Sequence, residues 1–493
     1  MSSQRFDPVP DRDAAARLGA ALRRIDYSED AIDDLLGEDA LSTDAADVPV
    51  HERRLLGDAS PLATAARLFL LQLPVDVAAA GDALGSDGLD ALLALGLARV
   101  DGASVVPHGR LVPAEQLLMA FDGFARGADD PPQFVAPYTP TASWLASLTP
   151  RRHVTRALDV GTGNGVHALL AAEHSDHVIA TDVNRRALAF TAINAALNQL
   201  DNVEVREGSL FEPVAGETFD LIICNAPYVV SPESRWEYRD GGLPADELSE
   251  RVVRRAAATL AEDGYASLLV SWVARDPDDP DERVEAWVDG CGCDAWVLAL
   301  AGADPLEHAA GWNEHLAPDP AAFGAALDEW TAYFSSLGVE WISEGAVLLH
   351  RRPGGRQAIR VDSADEELLE FAGDQIERVF RSQARLAELS SPEQLLELVP
   401  VLADEVRVEQ HREPGAREPE TVLSLQEGTM TEYELDADVA EVVALLDGDL
   451  TLGRAIDRVV RAYELDRREE RELREDSLAE VADLLALGLA ELR

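Results

Sequence analysis

The stretch RALDVGTGNGVHALLAAEHSDHVIATD, residues 156–182, decides the fold. The apolar run at 156–160 predicts a buried strand, and a loop with three glycines follows it. We expect a helix to start near Val166 and a second apolar strand to cover 178–182. Strand, helix and strand in this order form a βαβ unit, whose two strands lie parallel in one sheet.

The same alternation of strands and helices continues to about residue 355. Candidate strands cover 156–160, 178–182, 203–206, 219–224, 265–273, 294–300 and 338–349, with helices between them, one of them near 319–336. Such alternation is typical of an α/β fold with helices on both faces of a doubly wound sheet. We therefore predict a mostly parallel, seven-stranded sheet in a domain over residues 151–355.

Smaller domains are predicted on both sides. In residues 1–112, a helix and two β-like runs split by Asp101-Gly102 form a winged-helix pattern, and residues 113–150 are a connector. Residues 375–493 form a second small helical or winged-helix domain, after a helix near 364–390. Its expected strands lie near 405–411 and 421–426, and its helices near 437–446, 451–463 and 475–490.

Composition narrows the class of protein. The net charge is −50, and all 42 cationic side chains counted as Lys or Arg are Arg, a pattern typical of a GC-rich genome. Such a negative field repels nucleic acid unless a local basic face exists. The three cysteines, Cys224, Cys291 and Cys293, suit reduced thiols in the cytoplasm. We expect neither a signal peptide nor a membrane span, because the most apolar early stretch carries polar residues.

The glycine loop predicts what is bound. Gly161, Gly163 and Gly165 let the backbone turn tightly and approach a ligand closely. Asp159, just before them, would repel a pyrophosphate but suits a positive amine or sulfonium. Asp182, at the end of the second strand, suits the hydroxyls of a ribose, with Asn184 as a second polar candidate. A nucleoside without phosphates that carries an amino-acid cation, S-adenosylmethionine (SAM), fits this set; a loop that only joins strand to helix is the alternative.

The fourth strand ends in Asn225-Ala226-Pro227-Tyr228, at the edge where ligands of open α/β sheets bind. The Asn225 side-chain oxygen and the Ala226 carbonyl can each accept an N–H, and Tyr228 can stack on a flat group. Together they suit a planar –NH2 whose nitrogen points at the SAM methyl. Acceleration would come from orientation and fixed dipoles instead of a strong base.

The stretches DVGTGNG, TDVN, GSLFEP and FDLIICNAPY resemble the class I SAM-dependent methyltransferases with an Asn-Pro-Pro-Tyr motif, above all the HemK-type glutamine methyltransferases. The resemblance covers roughly residues 135–275. Ala226 departs from the usual Pro, and Ser209 stands where the family often has an acid. The implied catalytic residues are Asn225, Ala226, Pro227 and Tyr228, and the cofactor-binding residues are Asp159, Gly161, Thr162, Gly163, Gly165, Asp182, Asn184, Ser209, Leu210 and Asn225.

The sequence leaves open which class of molecule accepts the methyl group. A protein glutamine amide, as in a release factor, is favoured by the acidic surface and by the HemK-like loop SRWEYRDGG at 234–242, where Trp236, Tyr238 and Arg239 could line the substrate path. An exocyclic adenine or guanine amine in RNA or DNA is the alternative, because winged helices can read nucleic acid. A SAM-binding regulator without catalysis is a third hypothesis. The histidines at 167, 174 and 177 have no acidic or Cys partner at metal-ligand spacing, so no metal is predicted.

Overall fold

A mixed sheet forms the centre of the molecule. The computed structural model describes residues 6–37, 40–42, 44–124, 131–225, 227–232, 243–352, 354, 357–364, 371–411, 420–425, 427–429 and 432–493. Before the sheet, the chain forms α1 Arg12–Arg24, α2 Glu29–Leu36, α3 Val48–Arg54, α4 Pro61–Ala65, β1 Val75–Asp76, α5 Val77–Ala94, β2 Ala98–Asp101, β3 Ser104–Pro107, β4 Gly109–Ala114, β5 Leu117–Asp122 and α6 Pro140–Ser147. The central unit then comprises β6 Val154–Val160, α7 Val166–Ala172, β7 Ser175–Asp182, α8 Arg185–Leu197, β8 Val203–Glu207, β9 Phe219–Cys224, α9 Glu247–Thr259, β10 Leu260–Ala274, α10 Glu282–Val288, β11 Asp294–Ala303, α11 Pro305–Trp312, α12 Pro320–Leu337, β12 Trp341–His350 and β13 Ile359–Ser363.

The order of the sheet places its binding edge. Among the described residues the strands run β13-β11-β12-β10-β9-β6-β7-β8, and β12 is antiparallel to both of its neighbours. From β6 the chain builds the sheet outward through β7 and β8, and then returns to lay β9 on the other side of β6. The loops after β6 and β9 therefore meet at the topological switch point, where open α/β sheets bind ligands.

The seven predicted strands are confirmed, and the predicted number is wrong by one. Within the part of the chain that the structure describes, an eighth strand, β13, pairs parallel with β11 at the edge of the sheet. Its sequence, IRVDS, has only two apolar residues, and none of its residues is fully buried. A short edge strand without an apolar run carries no burial pattern from which it could be predicted.

The N-terminal unit combines helices with a small sheet. Strands β1, β3 and β2 form this sheet in that order, and α5, broken at Gly85, leads into β2. The predicted helix and the two strands around Asp101-Gly102 are therefore present, while the assignment to the winged-helix class stays a prediction. The proposed boundary at residue 112 lies inside β4, which pairs with β5 in a hairpin.

This hairpin is fastened to helix α8 by two asparagine side chains. Asn194, fully buried, accepts the Ala120 N–H at 2.8 Å and donates to the Ala120 carbonyl at 2.9 Å. Asn198 makes the same pair of bonds to the backbone of Leu118, at 2.9 Å each. The two amides thus replace a neighbouring strand for β5. As a result, the N-terminal unit and one face of the central sheet share a single hydrophobic core.

The C-terminal unit has its own core and docks on the sheet. Its elements are α13 Gly373–Ala387, β14 Pro400–Leu402, β15 Val406–His411, β16 Glu420–Leu425, β17 Glu432–Leu435, α14 Ala437–Val443, α15 Leu452–Tyr463, α16 Arg467–Ala486 and β18 Ala490–Leu492. Helix α13 packs on the central unit, where the Phe380 ring meets Tyr265 edge-on at 6.0 Å. The predicted start of the last helix, at 475, is too late. Its charged first turns are stabilised by a capping box between Asp466 and Glu469, a signal without apolar periodicity.

The asparagine fastening yields a stability prediction. Replacing Asn194 by Ala should lower the free energy of unfolding by about 3 kcal/mol, because buried backbone groups of Ala120 lose their partners. Urea unfolding of the full chain measures this change. Arg185→Ala is the matched control on the same helix. It removes only an exposed ion pair with Glu207, so its cost should stay below about 1 kcal/mol. Equal losses in the two variants would contradict the assigned role.

Candidate functional site

The glycine loop leaves β6 and turns back over it through three left-handed residues. Gly161, Gly163 and Gly165 have φ angles of 71°, 58° and 90°. A Cβ on Gly165 would also lie 2.9 Å from the Thr191 side chain, so this position tolerates only glycine. The N–H groups of Gly161 and Thr162 both donate to the Thr181 carbonyl at 2.9 Å. The loop is thereby tied to the end of β7.

Asp159 holds this loop through only one of its two carboxylate oxygens. Its Oδ2 accepts the Thr162 hydroxyl at 2.6 Å and the Ala168 N–H at 3.1 Å. Its Oδ1 is buried, and no described residue donates to it. Burial raises the pKa of Asp159 to about 7, against the opposing hydrogen bonds from Thr162 and Ala168. A buried carboxylate oxygen without a donor fits a cationic group such as the ammonium of SAM.

Asp182 stands half-exposed at the end of β7, beside the loop. Its Oδ2 accepts the Gly163 N–H at 3.0 Å, and its Oδ1 accepts the Asn184 N–H at 2.8 Å. Each carboxylate oxygen can accept more than one hydrogen bond, so a group oriented by these contacts can also accept from hydroxyls. The geometry fits the predicted ribose contact.

The Asn184 side chain forms hydrogen bonds to other parts of the protein. Its side-chain oxygen caps α8 by accepting the Arg186 N–H at 2.9 Å, and its side-chain nitrogen donates to the Gln133 carbonyl at 3.2 Å. The residue is buried. The structure therefore shows Asn184 holding Asp182 and the segment before α6 in place, and its direct contact with the cofactor stays a prediction.

Three further residues belong to the strand ends at Asp182: Val183, which follows β7, and Ser209 and Leu210, which follow β8. Leu210 has a left-handed φ of 48° and accepts the Thr181 hydroxyl at its carbonyl, while Ser209 is exposed. Val183 is 54% exposed, directly after Asp182, and the sequence interpretation missed it. The feature that could have indicated Val183 is an aliphatic residue in a polar loop, directly after an acid that suits a ribose. An exposed valine here offers a flat base an apolar surface.

The second loop leaves β9 at the same level as the glycine loop leaves β6. Val160 pairs with Cys224 in the parallel ladder, so Gly161 and Asn225 are the next residues on neighbouring strands. Asn225, Pro227 and Tyr228 are half-buried, and Tyr228 packs against the core shared with the N-terminal unit.

Several predicted residues lie outside the described part of the chain. They are Ala226 in the motif and, in the loop beyond it, Trp236, Tyr238 and Arg239. The predicted roles of these four residues stay predictions.

A segment that the sequence interpretation treated as a connector borders the glycine loop. The Asn164 side chain donates to the Ala136 carbonyl at 3.1 Å, two residues before Tyr138, whose hydroxyl donates to Glu115 at 2.5 Å. These contacts place residues 133–138 along the site and tie them to the β4–β5 hairpin. No local motif marks them, because the contacts are made between distant parts of the sequence.

The described residues offer neither a metal site nor a membrane-spanning helix. No group of three or more His, Cys, Asp or Glu side chains is placed there to hold a metal ion. His167 is buried, and burial lowers its pKa to about 4. None of the helices in the described ranges is both long and apolar enough to cross a membrane.

The sheet order, the single antiparallel strand among the first seven and the loop after β6 define the class I methyltransferase fold. The family model described as "Methyltransferase small domain" matches residues 140–273, the part of the chain that contains both loops. Residues 24–108 match a second model, described as "Domain of unknown function (DUF7059)".

Three curated relatives match within and around this domain. The ribosomal protein uL3 glutamine methyltransferase of Bradyrhizobium diazoefficiens is 34% identical over 31% of this chain and 52% of its own length. The enzyme of the same name from Xanthomonas campestris pv. campestris is 36% identical, over 24% and 42%. The release factor glutamine methyltransferase of Aliivibrio fischeri is 35% identical, over 25% and 41%. The chain thus spans about half or less of the length of these relatives, and the matched part resembles the HemK-type methyltransferases.

The raised pKa of Asp159 predicts how SAM affinity depends on pH. Below its pKa of about 7 this carboxyl is protonated and must lose a proton before it can pair with an ammonium. The α-amino group of a ligand, with a pKa near 8, stays charged in this range. The affinity for SAM should therefore rise about tenfold per unit between about pH 5.5 and 7, and level off above that.

Calorimetric titration at several pH values measures this slope. Asp159→Asn should bind SAM more weakly, with a flat profile over the same range. Glu212→Gln, which changes an exposed acid near the same edge, should keep the slope of the native chain. A flat profile in the native chain would contradict the proposed pairing.

Proposed function

We propose that the chain is a SAM-dependent N-methyltransferase that transfers a methyl group to a planar nitrogen, in particular a glutamine side-chain amide of a protein. The observation that carries this proposal is the pairing of Val160 with Cys224, which brings Gly161 and Asn225 to adjacent positions on one edge. A methyl donor on the first loop would then face an acceptor held by the second.

The residues around the first loop fit the donor. SAM, when bound, supplies a methyl group on a positively charged sulfur. Asp159 would pair with its ammonium through the buried Oδ1, Asp182 would accept from its ribose, and Val183 and Leu210 would flank its base. These four residues belong to three neighbouring strand ends, so one ligand of this size can contact all of them.

Asn225 would act on the acceptor. Its side-chain oxygen accepts one amide N–H, which orients the –NH2 and turns the nitrogen lone pair toward the donor. Tyr228 offers a ring face against the flat amide. The nitrogen–carbon bond forms as the carbon–sulfur bond breaks, and the surplus proton leaves the nitrogen for water. Because the acceptor nitrogen gains positive charge, fixed oxygen dipoles stabilise the transition state without a strong base.

Three further observations support a protein acceptor in the cytoplasm. The relatives are named for glutamine residues of a ribosomal protein and of release factors. The net charge of −50 disfavours nucleic acid over most of the surface. Cys224, Cys291 and Cys293 form no disulfide, as is typical of a reducing compartment. The helical N-terminal unit would then dock the acceptor protein.

A labelling experiment tests the acceptor class first. The full chain is incubated with methyl-labelled SAM and extract from cells that lack it, and the product is divided between protease and ribonuclease. We expect protease alone to release the label. Release by ribonuclease alone would replace the protein acceptor with an RNA base. Binding of SAM without any transfer would leave a SAM-binding regulator.

The role of Asn225 gives a sharper prediction. Asn225→Ala should keep the dissociation constant for SAM and lower turnover by about a hundredfold to a thousandfold, because an oriented acceptor group is lost. Calorimetry and initial rates measure the two quantities. Tyr228→Phe is the matched control in the same motif, since it keeps the ring face and should stay within a few-fold of the native rate. Unchanged turnover in Asn225→Ala would refute the assignment.

A further inference from the structure

The strands β11 and β12 are joined by a pair of helices, α11 and α12, that carries an aromatic cluster. Trp330 and Phe334 on α12 are fully buried, and the buried His308 on α11 packs against both rings. The imidazole lies 6.0 Å from the Trp330 ring and 5.7 Å from the Phe334 ring. This cluster contains Val229 and Val230, the residues that directly follow the Asn225–Tyr228 motif. The helical pair is therefore packed against the exit of the motif.

His308 makes a directed contact with that exit. Its Nε2 lies 3.1 Å from the Val230 carbonyl oxygen, and because a carbonyl can only accept, Nε2 must carry the proton. Burial lowers the pKa of His308 to about 4, so the ring is neutral and donates from this one nitrogen. The Nδ1 atom lies 3.7 Å from a carboxylate oxygen of Glu344, which also accepts the Trp312 indole N–H at 3.2 Å.

A second contact from the same pair of helices reaches the chain that leads into α9. The Tyr333 hydroxyl accepts the Ala245 N–H at 2.8 Å. The next residue, Asp246, is buried and accepts the Val273 N–H at 3.1 Å and the Arg283 guanidinium at 2.6 Å. Ala245 is thus fixed between α12 and the end of β10, the strand beside β9.

The chain between Tyr228 and Val230 passes from one core to another. Tyr228 packs against the core shared with the N-terminal unit, whereas Val230 is fully buried in the aromatic cluster of α11 and α12. Asn225 is anchored on its other side by β9, which is buried at its end. The described residues 227–230 lie within a few positions of both anchors, so their position depends on each of them.

We propose that His308 and Tyr333 are positioning residues: from the helices between β11 and β12 they fix Val230 and Ala245, and through Val230 they set the orientation of the Asn225–Tyr228 motif toward its acceptor. This role rests on the proposed function for its catalytic consequence, but the anchoring itself does not. Neither residue need touch SAM or the acceptor. The helical pair would then act on turnover and leave cofactor affinity unchanged.

The test combines rates with hydrogen exchange on the full chain. His308→Leu removes the donor to Val230, and His308→Gln places an amide N–H at a similar reach. With methyl-labelled SAM and protein extract, we expect His308→Leu to lower the maximal rate by about tenfold to a hundredfold. The KM for SAM should stay unchanged, and His308→Gln should restore most of the rate. Leu306→Ala, at an exposed position of the same helix, is the matched control and should behave as the native chain does.

Tyr333→Phe gives a second, milder readout if His308→Leu does not fold. The Ala245 amide should lose protection from exchange in this variant, and the amides of residues 228–231 should lose it in the His308 variant. Ser335→Ala, exposed on the same helix, should change neither. Native rates in His308→Leu together with unchanged exchange at both places would overturn the proposal. If the native chain transfers no methyl group, the proposed function fails, and exchange at Ala245 and at 228–231 still decides whether the anchoring is real.

Discussion

The register between β6 and β9 is the constraint on which the site depends. Parallel strands advance together, so pairing Val160 with Cys224 sends Gly161 and Asn225 out of the sheet side by side. A shift of one residue in either strand would turn the apolar side chains of β9 to the opposite face and move the motif away from the loop. Because both faces of these strands are buried, the close packing of side chains on each face opposes such a shift.

A second set of contacts connects the glycine loop to the N-terminal unit. Asp159 ties the glycine loop to the start of α7, and Asn194 donates both to the Asn164 carbonyl inside that loop and to Ala120 of the hairpin. Arg186 adds a buried ion pair with Asp122 at the end of the same hairpin. The binding loop and the N-terminal unit therefore share hydrogen-bonded partners. The central domain is one part of a larger packed body in this chain.

The sequence predicted what depends on local patterns. Strands such as 219–224 show apolar runs. Asp159 and Gly165 lie in and beside a glycine loop after the first strand, and Asp182 ends the second strand, which are the positions expected for residues that bind a nucleoside. It could not predict contacts between distant segments, such as Asn194 with Ala120 or His308 with Val230, because an asparagine or histidine in a helix looks the same whatever it contacts. The edge strand β13 was missed because a short polar strand has no burial pattern, and Val183 was missed because its exposure cannot be deduced from the sequence.

Helix α8 also bears on how the chain can be divided. Nine of its 13 residues are buried, since the sheet covers one side and the N-terminal unit covers the other. In a fragment that begins at residue 151, alanines and a phenylalanine of α8 that are buried in the whole protein would be exposed to water. Asn194 and Asn198 would also lose the backbone groups of β5 that they bind. Such a fragment is expected to self-associate or precipitate during purification, although its fold pattern is complete. The useful unit for expression therefore starts before α1, well ahead of the methyltransferase motifs.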